Sequence, residues 1–305
     1  MTLVERYRTM RLIREAEERI RRDYASDAMK TPVHLCIGAE AIPAAFCSVL
    51  EPEARLFGTY RNHGWYLARS GDLQGFFGEL YGRTTGVARG KAGSMHLAHP
   101  DSGLLLTSAV VATTIPLAVG AALAHQRLGV TAPVVVAFGD GAVEEGAFWE
   151  SLNAACLWRL PICFVCEDND LAIHSRAASR QGFRSIVEAV SSFRCRVFDV
   201  PGDEVEAVAG VASEALASVR RGDGPSFVRC TWHRSLEHVG IAVESPAPDH
   251  DPLTKAEAAL RAGGTSQAQI DAIGQEIAAA IDAAVEAAQR APLPSVDDLW
   301  TDVRV

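Results

Sequence analysis

The sequence predicts an α/β protein in which helices cover both faces of a doubly wound parallel sheet. Short, continuous apolar segments recur along the chain, and helical segments separate them, which is typical of this class. With 305 residues, the chain is long enough to bury a sizeable core. Its 29 Lys+Arg and 38 Asp+Glu give a net charge of −9, which argues against a basic nucleic-acid-binding surface.

The first thirty residues place apolar side chains at steps of three and four among charges, and so predict one amphipathic helix. We expect the apolar side of this helix to pack on the domain or on a partner. The segment is too charged for a secretory signal peptide. Residues 31–103 are rich in Gly, His and Arg, which predicts loops that approach a ligand. The apolar stretch 109–124 contains Thr, Pro and Gly, so we expect no membrane span.

The regular alternation of strands and helices begins after Ala109. The predicted strands are Val134–Phe138, Ile162–Cys166, Arg196–Val200 and Ser226–Cys230. The predicted helices are Ile115–Leu128, Glu144–Trp158, Phe183–Phe193, Asp203–Arg220 and an Ala-rich segment, Leu253–Ala291. We therefore expect an N-terminal helix (1–30), a binding domain (31–245) and a C-terminal helical extension (246–305).

The seven cysteines are interpreted as reduced thiols of a cytoplasmic protein, since no signal peptide is predicted. Cys163 and Cys166 match the C-x-x-C spacing of redox and metal sites. Because the pair lies inside the apolar segment Ile162–Cys166 and no second pair follows at zinc spacing, a buried strand is the preferred interpretation.

Oxygen-bearing side chains follow two of the predicted strands. Asp140 comes directly after Val134–Phe138, between two glycines, and the sequence Glu-Asp-Asn-Asp (167–170) follows the next strand. In a doubly wound sheet, ligands bind beyond the carboxyl ends of the strands, so both groups are expected at the binding crevice. A divalent cation that also holds a diphosphate prefers such oxygen ligands. A Gly-Asp-Gly sequence alone is often only a turn, but the second cluster favours a metal site.

Several segments of the sequence resemble motifs of one known protein family. Residues 139–170, GDGAVEEGAFWESLNAACLWRLPICFVCEDND, resemble the thiamin-diphosphate motif of the alpha subunits of 2-oxo acid dehydrogenase first components. The segments HLCIGAEA, TYRNHG, GKAGSMH and IPLAVGAALA resemble further motifs of that family, in the family's order. The family includes the pyruvate, branched-chain 2-oxo acid and acetoin dehydrogenases.

The resemblance implies two cofactors, thiamin diphosphate and Mg²⁺. The implied metal ligands are Asp140, Asn169 and the carbonyl of Leu171. The residues implied to contact the diphosphate are Tyr60, Arg61, Gly141 and Ala142. Main-chain atoms of Ala109 and Val111 are implied to contact the aminopyrimidine ring.

Two histidines receive catalytic roles from the same resemblance. His34, in the family's His-Leu-x-x-Gly motif, is implied to face the 2-oxo acid. His238, four residues after Arg234, is implied to lie on a loop that orders over the cofactor and to serve in the reaction with the acyl acceptor. Histidine suits such proton transfers because its ordinary pKa lies near neutrality. A purely structural role is the alternative for each.

The sequence departs from the family's pattern at several positions. Asp168 stands at the first Asn of the family's Asn-Asn pair, and Ala39 replaces the usual Gln. Ala109 and Ala112 replace glycines of the pyrimidine-contact segment. Leu171 replaces a common Tyr, and His233 replaces the Tyr before Arg234. Val239-Gly240-Ile241-Ala242 stands where the family has Ser-x-x-Asp-Pro. The substitutions at these positions bear on the substrate and on regulation, whereas the metal motif is intact.

The resemblance also implies a partner. In the family, a glutamate on a separate beta subunit activates the aminopyrimidine, and a chain of this length has no room for that second domain. We therefore expect an alpha-two beta-two heterotetramer that decarboxylates a 2-oxo acid and passes the acyl group to a lipoyl or other carrier. The terminal helices are candidate subunit contacts, or else they only cap the domain.

Two alternative functions remain open at the level of sequence. One is the diphosphate-binding half of a split transketolase-like enzyme, against which the GKAGSMH and HLCIGAEA segments argue. The other is a non-catalytic cofactor-binding scaffold. A nicotinamide-binding function is weaker, because no G-x-G-x-x-G sequence follows a predicted strand.

Overall fold

A parallel sheet forms the centre of the computed structural model, which describes residues 1–301. In this part of the chain the strands are β1 (Arg55–Thr59), β2 (Leu104–Ser108), β3 (Val134–Gly139), β4 (Ile162–Asp168), β5 (Leu171–Ala172), β6 (Ser175–Arg176), β7 (Arg196–Pro201) and β8 (Ser226–Thr231). Strands β5 and β6 form a separate antiparallel hairpin. The others form one sheet in the order β2-β1-β3-β4-β8-β7, with all neighbours parallel. The predicted fold class is confirmed.

The described α-helices are α1 (Leu3–Tyr24), α2 (Ala41–Cys47), α3 (His63–Ser70), α4 (Leu73–Leu80), α5 (Thr114–Leu128), α6 (Gly146–Trp158), α7 (Ile186–Ser191), α8 (Val205–Arg220), α9 (Pro252–Ala262) and α10 (Gln267–Arg290). Helices α5, α6 and α7 contribute apolar side chains to the core on one face of the sheet. The remaining helices contribute to the core on the other face. Helices therefore cover both faces, as a doubly wound sheet requires.

The central strands are apolar throughout because each of their faces meets a different core. In β3, Val135 and Ala137 pack on one face, whereas Val134, Val136 and Phe138 pack on the other. This alternation with a period of two residues follows from the pleat of the strand. It explains why continuous apolar segments located β3 and β4 correctly in the sequence.

The two cysteines of the C-x-x-C sequence lie on opposite faces of β4. Cys163 belongs to one core and Cys166 to the other, and both are fully buried. Their side chains cannot act together on one ligand, so the prediction of a buried strand is confirmed. All seven cysteines are free thiols.

The N-terminal helix α1 packs on the domain itself. Thr2 and Glu5 form a capping box at its start, which satisfies the first free N–H groups. Tyr7, Met10 and Ile13 are fully buried against the core that also includes residues of α9 and α10. The apolar side of α1 therefore packs against the core of this chain and is not available to bind a partner.

The prediction of loops in residues 31–103 missed the regular elements of this stretch, which are β1 and the helices α2, α3 and α4. Each of these helices has only seven or eight residues, which is too short to show helical periodicity among glycines and histidines. The segment 83–99 that contains GKAGSMH is mostly turns. The buried carboxylate of Glu79 holds part of it by accepting hydrogen bonds from the backbone N–H groups of Ala88, Gly90, Ala92 and Gly93.

The predicted helices differ in their limits from those observed. Helix α1 ends at Tyr24, α5 begins one residue earlier than predicted, and α8 begins two residues later. Three other predicted helices differ as follows. The helix predicted from Glu144 begins at Gly146, because Asp140–Glu144 forms a 3-10 turn directly after β3. The helix predicted over Phe183–Phe193 is only Ile186–Ser191, capped by the Ser185 hydroxyl. The Ala-rich segment Leu253–Ala291 is divided into α9 and α10 by a turn at Gly263 and Gly264. Among residues 1–301, no helix is long and apolar enough to cross a membrane.

Candidate functional site

The site is built where the strand order reverses between β1 and β3. Strand β1 leads to β2 on one side, whereas β3, β4, β8 and β7 extend the sheet on the other. Tyr60 and Arg61 directly follow β1, and Asp140 directly follows β3. At such a switch point the two connections diverge and leave a crevice at the carboxyl edge of the sheet. The crevice therefore lies at the edge of the sheet where the sequence analysis expects a ligand.

Asp140 is delivered to this crevice by the pairing of β3 with β4. The last residue of β3, Gly139, lies opposite Glu167 of β4, so the residues that follow both strands are neighbours. Asp140 is 4% exposed. Burial and the neighbouring Asp168 carboxylate raise the pKa of Asp140, whereas the Arg180 guanidinium opposes that shift. A carboxylate held in such surroundings favours a cation beside it.

Asn169 and Leu171 enter the site through a tight turn after β4. The Asn169 side-chain oxygen accepts a 3.0 Å hydrogen bond from the Leu171 N–H, and the Asp168 carboxylate accepts one of 2.9 Å from the Asp170 N–H. Asp170 has a φ of 66°, in the left-handed region that Asp tolerates better than most residues. This turn reverses the chain into the β5–β6 hairpin, which covers the crevice.

A cavity of about 240 Å³ lies between these elements. Most of the residues predicted to bind a cofactor line it, namely Tyr60, Arg61, Val111, Asp140, Gly141, Ala142, Asn169 and Leu171. The catalytic candidate His238 lines it too. Two predicted site residues, Ala109 and His34, do not.

His34 lies directly behind the cavity wall and contacts two residues that line it. Its ring centroid is 4.4 Å from that of Tyr60 and 5.1 Å from that of His238. The structure therefore brings the two predicted catalytic histidines together, although their sequence numbers, 34 and 238, differ by 204. The Nδ1 atom of His34 is buried and has no hydrogen-bond partner among residues 1–301.

Both histidines are neutral at physiological pH. Burial, followed by the charge of Arg61, lowers the pKa of His34 to about 3 and that of His238 to about 4. A neutral imidazole carries one donor and one acceptor nitrogen. At neutral pH each ring can therefore both donate and accept a proton. A ring that is protonated at both nitrogens can only donate one.

Arg61 connects the two histidine-bearing segments. Its Nη1 donates a 2.6 Å hydrogen bond to the carbonyl of Leu35, and its Nη2 lies 3.3 Å from the carbonyl of His238. The guanidinium also lies 6.0 Å from the ring centroid of Trp232. Burial lowers the pKa of Arg61, but an arginine remains charged at neutral pH. It therefore supplies a fixed positive charge at the cavity wall.

The residues that line the cavity include the oxygen ligands and the positive charge that suit a metal-bound diphosphate. A Cβ at Gly141 would come within 3.1 Å of the Ala172 Cβ, which is a tight contact, so glycine suits the backbone this close to the hairpin. The Asp140 carboxylate, the Asn169 amide oxygen and the Leu171 carbonyl provide the mixed oxygen set that Mg²⁺ accepts. Among residues 1–301, no group of three His, Cys, Asp or Glu side chains is placed to hold a metal. A diphosphate-bound Mg²⁺ needs no such group, because phosphate and water supply the remaining ligands.

Two residues of the cavity, Ile173 and Trp232, were not predicted from the sequence. Ile173, with a φ of 55°, enters the wall from the turn of the hairpin, and Trp232 enters from the segment after β8. Neither has a signal in the local sequence. Glu167 was expected at the crevice as part of the acidic sequence 167–170 but was given no individual role. It lines the cavity and accepts a 3.0 Å hydrogen bond from the Trp65 indole, and burial raises its pKa to about 7.

Ala112 stands at a strained position of the cavity wall. Its φ of 62° lies in the left-handed region, and its side chain is 3% exposed. This conformation costs a residue with a Cβ roughly 1–2 kcal/mol. The sequence analysis noted that Ala112 replaces a glycine, and the backbone shows why glycine suits this position.

Comparison with known proteins agrees with this geometry. The sequence profile of the family described as dehydrogenase E1 component matches residues 8–297. This chain belongs to the dehydrogenase E1 component family. The prediction of the family from its motifs is thereby confirmed, and with it the class of thiamin-diphosphate-dependent 2-oxo acid dehydrogenases.

Relatives of this E1 component chain match it over almost its whole length. It is 33% identical to the alpha subunit of acetoin:2,6-dichlorophenolindophenol oxidoreductase from Cupriavidus necator, over 100% of this chain and 94% of the relative. It is 30% identical to the protein of the same description from Bacillus subtilis, over 98% and 92%. It is also 30% identical to the pyruvate dehydrogenase E1 component subunit alpha of Zymomonas mobilis, over 99% and 88%.

Proposed function

We propose that this chain is the alpha subunit of an E1 component that decarboxylates a 2-oxo acid with thiamin diphosphate and Mg²⁺ and passes the acyl group to a lipoyl or other carrier. The observation that carries the proposal is the convergence of Asp140, Asn169, Leu171, Tyr60 and Arg61 on one cavity at the switch point of the sheet. The cofactor, when bound, supplies the electron sink for loss of CO₂. The chain supplies the binding, orientation and proton positioning.

In this proposal the metal and the diphosphate are held by the crevice between β1 and β3. Asp140, Asn169 and the Leu171 carbonyl hold the Mg²⁺, and Tyr60, Arg61, Gly141 and Ala142 hold the diphosphate. The buried charge of Arg61 suits a polyphosphate. We assign Val111 to the aminopyrimidine side, since it is 43% exposed at the rim of the cavity. Ala109 is assigned to the same side through its main chain only.

The two histidines are assigned to proton positioning around the reacting carbonyl. His34 lies behind Tyr60, and its free buried Nδ1 leaves it one unused hydrogen-bonding atom. His238 lines the cavity itself. Because both are neutral near pH 7, each can hold a proton on one nitrogen and accept one on the other. We assign His34 to the 2-oxo acid and His238 to the reaction with the acyl acceptor.

We propose that a beta subunit completes the site, in an alpha-two beta-two assembly. An apolar stripe supports this, because it begins at the cavity rim and runs along α5. Val110 is 61% exposed, Leu117 51% and Leu128 76%, and the side of α5 between them is exposed at Gly120 and Ala124. Exposed apolar surface of this kind marks a protein interface. A partner seated there would also close the cofactor cavity.

The division into an N-terminal helix (1–30), a binding domain (31–245) and a C-terminal extension (246–305) is part of the same proposal. The site residues all lie within 31–245. We place the protein in the cytoplasm, where its seven free thiols would stay reduced.

Decarboxylation by the two-chain complex tests the proposal. The chain is purified alone and together with a beta-type subunit of the same organism, and CO₂ release is measured with thiamin diphosphate, Mg²⁺ and a panel of 2-oxo acids. We expect release only from the complex. Turnover of a ketose phosphate instead would support the transketolase-like alternative, and a stable, cofactor-loaded complex that is inactive on both would support a non-catalytic scaffold.

The assignment of His238 is tested in the same complex. His238→Ala should lower kcat by about 100-fold, as loss of a general acid or base does, and leave cofactor affinity unchanged. The exposed His96 provides a control, since His96→Ala removes a histidine that lies outside the cavity. Collapse of cofactor affinity in His238→Ala would show that the residue binds the cofactor rather than acting on the substrate.

A further inference from the structure

Arg180 is a buried cation that no sequence motif assigned to the site. Its Nη2 contacts the Asp140 carboxylate, and its Nη1 contacts that of Glu144. The Arg180 side chain is 9% exposed and that of Asp140 is 5% exposed. Two oppositely charged groups so far removed from water interact strongly, because little solvent screens them. Asp140 is thus already neutralised by a side chain of this protein.

Arg180 also fastens the segment that carries Leu171, another of the proposed metal ligands. Residues 170–181 form a flap that contains the β5–β6 hairpin and the turn after it. At its start, the carbonyl and carboxylate of Asp170 each accept a hydrogen bond from the Ala177 N–H. At its end, Arg180 joins the flap to Asp140 and Glu144. The adjacent Gln181 side chain lies within 3.5 Å of the Asp140 carbonyl and 3.4 Å of the Glu144 carboxylate.

We propose that Arg180 is a positioning residue of the metal centre, which acts as a resident counter-cation of Asp140 and competes with the metal ion for that carboxylate. The proposal rests on the proposed function, in which Asp140 binds Mg²⁺. Because the guanidinium contacts the Oδ2 atom of Asp140, a metal ion that binds through this oxygen must displace it. The contact with Glu144 gives the guanidinium a second anionic partner, so it need not be left buried and unpaired when Asp140 is released.

This arrangement has a physical consequence for the metal-free chain. Without Arg180, Asp140 would be a buried carboxylate beside Asp168 that has lost its ion-pair partner, which is costly. With Arg180, the metal-free site stays closed and folded, but the metal must displace an existing ion pair. Arg180 therefore stabilises the metal-free state and lowers the affinity of the site for the metal.

Binding of Mn²⁺, a paramagnetic substitute for Mg²⁺, tests this directly. The full-length chain is stripped of metal and cofactor and titrated with Mn²⁺, and free Mn²⁺ is followed by electron paramagnetic resonance. We expect Arg180→Gln to bind Mn²⁺ about tenfold more tightly than the wild type, and to melt at a lower temperature when metal-free. Arg176→Gln is the matched control, since Arg176 lies on the same flap but pairs with Asp170 and is 76% exposed.

Unchanged or weaker Mn²⁺ binding by Arg180→Gln would overturn the proposal, because it would show that Arg180 supports the metal site rather than competing for it. Arg180→Lys serves if the glutamine variant does not fold. A lysine has one charged nitrogen and cannot contact Asp140 and Glu144 with the planar fork of arginine, so its Mn²⁺ affinity should also rise. Unchanged or weaker binding by Arg180→Lys would again contradict the competition.

Asp140→Asn separates this inference from the proposed function. If the wild type binds Mn²⁺ and Asp140→Asn does not, the metal site is correct, and the arginine variants alone decide the role of Arg180. If Asp140→Asn binds Mn²⁺ as tightly as the wild type, the metal site itself is misplaced, and the proposal for Arg180 fails with it.

Discussion

Two clusters of histidines and charged groups lie at the two ends of the segment Tyr60–His63, and they differ in what surrounds them. In the closed cluster, the His63 ring contacts the Glu17 carboxylate at 2.6 Å and the Ser94 hydroxyl at 2.7 Å, and all three residues are fully buried. In the open cluster, His34 and His238 lie against the cavity beside Arg61.

The closed cluster has the residue types of a serine hydrolase triad but cannot act as one. No substrate can reach a Ser94 that is 0% exposed, and every polar atom of the His63 ring has a partner. The open cluster has a free buried nitrogen on His34 and a cavity beside it. Residue types alone therefore do not locate the chemistry, whereas solvent access and unused hydrogen-bonding capacity do.

Breaking the closed cluster should have the largest effect on stability. Glu17→Ala removes the partner of His63 and the acceptor of the Cys36 N–H. We expect the free energy of unfolding to fall by about 3–5 kcal/mol, as for a buried pair that loses one member. Urea unfolding measures it. The control Glu18→Ala, whose side chain is 41% exposed, should change it by less than about 0.5 kcal/mol.

A loss below about 1 kcal/mol in Glu17→Ala would show that the closed cluster is not the structural support described here. The variant also separates the two clusters. If it folds, it should keep the affinity of the open site for Mg²⁺ and thiamin diphosphate.

The open cluster should make the chain less stable in acid. The pKa values of His34 and His238 are lowered from 6.5 to about 3 and about 4. Between these values and 6.5 the unfolded chain binds more protons than the folded chain. The free energy of unfolding should therefore fall as the pH drops below about 6.5. Above about pH 7 these two histidines should not make the free energy of unfolding depend on pH.

Urea unfolding of His238→Gln at about pH 7 and about pH 5 checks this. The loss of stability between the two pH values should be smaller than in the wild type, whereas the exposed His96→Gln should leave it unchanged. An equal loss in His238→Gln and the wild type would contradict the lowered pKa of His238.

The smallest expected effect concerns Ala112 at the cavity wall. Ala112→Gly relieves the left-handed backbone but adds freedom to the unfolded chain, so we expect a net gain of about 0.5–1 kcal/mol. Ala124→Gly, at an exposed position inside α5, should instead lose about 1 kcal/mol. Loss of stability in both variants would show that Ala112 is not strained.

Much of the fold could be predicted because burial on both faces of the sheet leaves a local signal. Strand β3 is only one residue longer than the predicted strand Val134–Phe138, and β4 is two residues longer than the predicted strand Ile162–Cys166. Residues 31–103 lacked such a signal. Their short helices α2, α3 and α4 are held by distant elements, such as the contacts of α3 with α1 and of α4 with α10.

The site residues likewise fall into those that could be predicted from the sequence and those that could not. Asp140 and Asn169 were predicted from the sequence because they follow predicted strands, and the topology of a parallel sheet gathers strand ends at one edge. Tyr60 also follows a strand, β1, but it was predicted only through the family resemblance. Ile173 and Trp232, which line the cavity, and Arg180, which contacts Asp140, could not be predicted. The hairpin, the turn after it and the segment after β8 bring them there through turns that the local sequence does not specify.

The central claim is that the carboxyl edge of the sheet holds a diphosphate through a metal at Asp140. Calorimetric titration of the two-chain complex with thiamin diphosphate, with and without Mg²⁺, measures this most directly. We expect the wild type to require Mg²⁺, and Asp140→Asn to weaken binding by about 100-fold or more, while Glu150→Gln, an exposed carboxylate on α6, has no effect. An unchanged affinity in Asp140→Asn would contradict the assignment of the site.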